Sequence, residues 1–225
     1  MISRRKLLGT AAGATALAAL PGVLLPPTAA ARSRQQWRGD RSENGWSIRP
    51  SEIRDFHISG AGGLKARLHP LAAPVLLHIA RRWHYEVLPL DEGGEKVLGH
   101  TADREVGAPF ESNHLSGSAI ALRPAAFPLS GTEPLWPHQD TIVRDILLDC
   151  AGTVVWGGDL TPTKISHFHL AVRPGDRKLA RVAAALDPAT REAAPDAPPQ
   201  AGAGADPATP GRRARARGLQ RAQQG

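Results

Sequence analysis

A chain of 225 residues, 41% hydrophobic and 22% charged, has room for one domain with a real hydrophobic core, and two would be crowded. The formal charge of +7 is not a nucleic-acid signature, because Arg4, Arg5 and Lys6 carry three of those charges in a segment expected to be removed. A single cysteine, Cys150, excludes an intramolecular disulfide and a cysteine-rich zinc site, so any metal must rely on histidine and carboxylate.

Residues 1–31 read as a targeting segment. Ser3-Arg4-Arg5-Lys6-Leu7-Leu8 is a twin-arginine pattern, followed by an Ala/Leu/Gly stretch to Leu25 and by Ala29-Ala30-Ala31 as a small-residue cleavage site. The apolar stretch is short and broken by Pro21, so a cleaved signal is expected rather than a membrane anchor, with no span left afterwards and a secreted or wall-associated product. Leu71, Val75, Ile79 and Trp83 recur every four residues and predict an amphipathic helix over 70–85. Gly93 and Gly94, between Asp91 and Glu95, predict a hairpin turn. A second helix is expected over 137–150, bringing Ile142, Val143, Ile146 and Leu147 to one side and closing at Gly152.

Thr153 to Trp156 reads as a short strand. Ile165 to Val172 alternates, so His167 and His169 share one face of a strand while Phe168, Leu170 and Val172 share the core face. Asp176 caps a final helix carrying Leu179, Val182, Ala183 and Leu186. The sum is an α+β domain over 45–186, a small antiparallel sheet backed by helices. Residues 187–225 are rich in Ala, Pro, Gly, Arg and Gln with almost no large apolar side chain, which predicts a disordered, basic tail.

The candidate chemistry lies in two segments. The first is Ser112-Asn113-His114-Leu115-Ser116-Gly117-Ser118-Ala119-Ile120-Ala121; the second is Trp156-Gly157-Gly158-Asp159 followed by Ile165-Ser166-His167-Phe168-His169. Their order and spacing resemble the VanY-like and phage-endolysin-like branch of the zinc D-alanyl-D-alanine carboxypeptidase family, whose patterns are S-x-H-x-x-G-x-A-x-D and W-G-G-D, then an acid three residues before the His of H-F. That resemblance implies the family's fold over about two thirds of the chain. It matches His114 and His167 to zinc ligands, and Gly117 and Ala119 to small residues that let the following strand approach the site. It also implies a role for Arg104 in holding the substrate carboxylate.

The same resemblance exposes two vacancies. The family's ligand Asp is Ala121 here, and its general base is Lys164. A methyl group cannot coordinate zinc, and an ammonium cannot take the proton of a zinc-bound water. His169 shares a strand face with His167 and is the candidate replacement ligand, giving a possible His114/His167/His169 zinc site. Asp159 is the candidate replacement acid, although a turn-shaping role suits it better. The remaining histidines lack ligand spacing. The two substitutions favour a degenerate, non-catalytic relative that recognises peptidoglycan stem peptide or another cell-wall polymer; the alternative is an active, divergent zinc peptidase acting on stem peptides.

Overall fold

A computed structural model describes residues 34–92, 97–187 and 209–224, all within one unit, Ser33–Gly225. The targeting segment and the Gly93-Gly94 turn lie outside the described residues. In chain order the elements are β1 (Gln35–Gln36), β2 (Arg54–His57), β3 (Lys65–Leu68), α1 (Ala73–Glu86), β4 (Val97–Leu98), β5 (Glu105–Val106), β6 (Ala119–Leu122), α2 (Pro137–Asp149), β7 (Val154–Trp156), β8 (His167–Leu170), α3 (Arg177–Leu186) and α4 (Pro210–Gln224). Four strands make the central antiparallel sheet in the order β4-β6-β8-β7, with β1–β5 and β2–β3 as separate antiparallel pairs. This is the α+β class.

α1 buries Val75, Leu76, Ile79, Ala80 and Trp83. Leu71, the first residue of the expected stripe, precedes the helix and is half exposed because Pro74 sets the first turn after it. α2 turns Val143, Ile146 and Leu147 inward. The edge of Trp83 meets Phe168 at 5.7 Å between centroids, and Trp156 stacks on the same Phe168 at 6.3 Å. Phe168 therefore joins helix to sheet at the centre of the core. Asp176 caps α3, its carboxylate accepting from the Lys178 backbone N–H at 2.6 Å. Cys150 is fully buried at the end of α2, and burial pushes its thiol pKa up.

The expectation of a disordered tail is corrected over its last stretch. Residues 210–224 form α4, which lies against α2 and turns Arg212, Ala216 and Leu219 toward the core side. What the composition lacked in apolar area is supplied by ionic and amide anchors: Arg212 meets Asp145 and Asp149, Gln220 donates to Asp159 Oδ1 at 3.0 Å, and Gln223 donates to Val154 O at 2.6 Å. Residues 188–208 lie outside the described residues.

Phe168 is fully buried between two tryptophans, so Phe168→Ala should cost about 3–5 kcal/mol of unfolding free energy. Urea denaturation followed by tryptophan fluorescence measures it; a loss below about 1 kcal/mol would mean this ring is not the core's centre.

Candidate functional site

β6 and β8 pair so that Ala121 faces His167 and Ala119 faces His169 in register. The turn before β6 needs Gly117: its φ is +66°, and a Cβ there would sit 2.6 Å from Ile53 Cδ1 and 2.7 Å from the His69 backbone N. A short 3₁₀ helix, Pro109–His114, closes over the strand face that carries the histidines. The face that His167 and His169 share is therefore covered and not open. His114, His167 and His169 are 2%, 0% and 5% exposed, and Phe110 stacks on His169 and tilts against His167 at 4.8 Å.

The three imidazoles form a chain. His114 Nδ1 lies 2.8 Å from Gly99 O, His114 Nε2 lies 3.1 Å from His167 Nδ1, and His167 Nε2 lies 3.0 Å from His169 Nδ1. A carbonyl can only accept, so a neutral His114 donates from Nδ1 and accepts at Nε2. That forces His167 and then His169 to donate from Nδ1 in turn. Burial lowers all three pKa values: His114 to about 3 with help from the Lys164 charge, His169 to about 4, and His167 well below its ordinary value.

This geometry does not fit the three-histidine zinc site. A zinc ion bound by His167 would use one of its nitrogens, yet His114 and His169 address opposite nitrogens of that ring. Among the described residues, no group of three or more His, Cys, Asp or Glu is arranged to hold a metal ion. Where the resemblance places an acid, Lys164 instead pairs with Glu111, and both side chains are largely buried. Glu111 also accepts from the Gly107 N–H at 2.8 Å. Burial alone would raise the Glu111 pKa, but Lys164 and the Gly107 N–H together hold it lower. Lys164 and Glu111 each stand three residues before a histidine of the chain, so the site carries a balanced ion pair of its own.

The two candidate catalytic residues, Arg104 and Asp159, make other contacts. Arg104 donates from Nη1 to Trp37 O at 3.1 Å and to Gly39 O at 2.9 Å, which holds the N-terminal segment against β5. Asp159 pairs with Arg144 of α2 and accepts from Gln220. Arg144 in turn lies 4.5 Å over the Trp156 ring.

The sequence reading missed the turn Ser42–Trp46. Asn44 Nδ2 donates to Ser118 Oγ and to Leu170 O, each at 2.9 Å; the Asn44 backbone N–H donates to Asn113 Oδ1 at 3.1 Å; and the Glu43 N–H donates to Ser112 Oγ at 2.9 Å. Ser42 Oγ bonds Ser116 Oγ at 2.9 Å. The buried hydroxyls and amide of the first motif thus serve this turn. Its only sequence signal is the short run Ser42-Glu43-Asn44-Gly45, ordinary turn chemistry. Of the other histidines, His78 lies 3.2 Å from Asp149 in an ion cluster with Arg82, and its Nδ1 and that of His100 are buried without a partner among the described residues.

Comparison with protein-family models, with curated proteins and with solved structures finds no match for this chain.

The histidine chain makes stability depend on pH in a defined direction. The unfolded chain protonates these imidazoles as pH falls through about 6.5, whereas the folded chain resists until about 4 at His169 and about 3 at His114. Their contribution is complete above pH about 6.5 and is lost below it, by up to about 1.4 kcal/mol per pH unit for each histidine. Thermal melts between pH 7.5 and 5 should show a falling Tm, and His169→Gln should flatten the slope. An unchanged slope would mean that His169 protonates freely in the folded state.

Proposed function

We propose that residues 45–186 are a member of the zinc D-alanyl-D-alanine carboxypeptidase family that has lost hydrolysis and acts, after twin-arginine export, as a recognition module for peptidoglycan stem peptide. The observation that carries this reading is what stands beside His114 and His167. Ala121 occupies the register position opposite His167 with its methyl fully buried, and Lys164, tied to Glu111, occupies the acid's position. Peptide hydrolysis on zinc requires three protein ligands, an open position and a carboxylate to take the water's proton. Here a third ligand and a base are both missing, and the residue in the acid's position is an ammonium tied to Glu111.

With the histidines sealed, recognition falls to the open surface beside the motif. A cleft of about 550 Å³ is lined by Arg49, Glu52, Arg54, His69 and Leu71. It is tied to the motif by the His69 N–H, which donates to Gly117 O at 3.0 Å. Arg49 holds Glu52 at 3.2 Å and Arg54 donates from Nη1 to Ser51 O and Ile53 O, and the N–H groups those contacts leave over, beside the apolar patch, suit a short peptide ending in a carboxylate and small methyl-bearing residues. Titration with a peptide ending in D-Ala-D-Ala should perturb the NMR signals of His69 and Leu71, and Arg49→Gln with Arg54→Gln should weaken binding about tenfold. Perturbations confined to residues remote from this cleft would rule it out as the binding surface.

One observation favours the active alternative. His114 Nε2 and His167 Nδ1 face each other at 3.1 Å, close to the spacing of about 3.3 Å between two nitrogens on one tetrahedral zinc. The protein should nevertheless take up well under one zinc per chain after incubation with the metal. Lys164→Glu by itself would set two carboxylates against each other at Glu111. The restoring variant therefore combines Ala121→Asp, Lys164→Glu and Glu111→Gln, and should bind about one zinc per chain, lost again with His114→Ala. Stoichiometric zinc on the unaltered protein, removed by His114→Ala, would establish the alternative.

A further inference from the structure

We propose that α4 is a rigid arginine ladder that binds a flexible phosphodiester polymer of the poly(glycerol phosphate) type along its outer edge. This rests on the α4 surface and is independent of the reading given to the histidines. α4 carries five arginines, of which Arg212 faces the domain and Arg213, Arg215, Arg217 and Arg221 are exposed, Arg215 apart from the row formed by the other three. Arg212 turns inward to Asp145 and Asp149, whose side chains are 1% and 3% exposed, and hydrogen bonding to Asp145 raises its pKa. Arg82 of α1 reaches the same two carboxylates. A buried ionic junction therefore holds the helix in one orientation, with Gln220 and Gln223 pinning its second half.

The consequence falls on Arg213, Arg217 and Arg221. They stand one helical turn apart, roughly 6 Å from one to the next along the axis, on one flank of the docked face, and all three are exposed. Among the described residues none of them forms an ion pair, whereas Arg144 and Arg212 are committed to aspartates. Beside them runs a cleft of about 300 Å³ between α2 and α4, lined by Asp140, Thr141, Arg144, Arg213, Arg217 and Gln220. Asp140 is already paired with Arg144 at 3.5 Å. The cleft thus presents two guanidinium groups outside any ion pair among the described residues, with the second Gln220 N–H as a further donor, while its carboxylates are engaged, Asp140 with Arg144 and Asp145 with Arg82 and Arg212.

The chemistry selects the partner. Guanidinium matches phosphate through paired N–H donors, and repeating charges along a flexible chain match repeating charges along a fixed helix. α4 holds no aromatic side chain on which a base could stack, which disfavours nucleic acid. Its one large apolar residue, Leu219, packs against the core and not outward, which disfavours insertion into a lipid surface.

The test is fluorescence anisotropy on the purified protein with labelled poly(glycerol phosphate). Binding should fall with salt at a log–log slope of about −2 for three contacts, or about 20-fold between 50 and 200 mM. The triple variant Arg213→Gln, Arg217→Gln, Arg221→Gln should lose affinity about tenfold or more at unchanged Tm, and the matching triple Lys variant should keep the slope. The proposal is overturned if the Gln variant binds as tightly as the parent. It is equally overturned if single-stranded DNA of equal charge, or phosphatidylglycerol vesicles at equal phosphate, bind as tightly as the polymer.

Discussion

The burial of three hydrogen-bonded imidazoles beside the Lys164–Glu111 pair governs the behaviour of the site. In a space closed to water any positive charge on these rings is costly, and the Lys164 ammonium adds to that cost at His114 and His167, so the imidazoles stay neutral and hydrogen-bond to one another. Glu111 balances that ammonium and is itself held by the Gly107 N–H. Breaking either partner would leave an uncompensated charge beside a fully buried ring. Sealing by Phe110 follows naturally, since neutral rings can be covered by an aromatic side chain without stranding a charge.

The helices and the central strands were legible because their signals are local. Four-residue apolar spacing marked α1, and alternation marked β8 with Phe168 inward. The convergence of His114 and His167 was also legible, though only through the order of two distant motifs. What could not be read were partnerships between remote segments. Glu111 shows no sign in sequence that it will meet Lys164, and nothing in Ser42-Glu43-Asn44 announces that this turn will occupy the hydroxyls of Ser112, Ser116 and Ser118. Strand periodicity puts His169 on the face of His167, where it lies, but which ring nitrogen meets which neighbour is set by packing across strands.

The tail failed differently. Composition measures how much apolar area a segment can bury, and α4 has little. It docks by satisfying charges that the rest of the domain has already buried: Asp145 and Asp149 lie four residues apart on α2, and Arg82 of α1 bonds both. An arginine arriving from the far end of the chain completes that junction, so a compositional rule based on hydrophobicity does not detect it.

Cys150 is the molecule's one sulfur nucleophile, and it lies where the end of α2, the start of β7 and the buried core meet. Its thiol is held protonated and out of contact with solvent, so oxidants and alkylating reagents reach it only when α2 lifts away. The rate at which such a reagent consumes this sulfur is therefore a built-in clock for the opening of the domain, readable by mass without any added label.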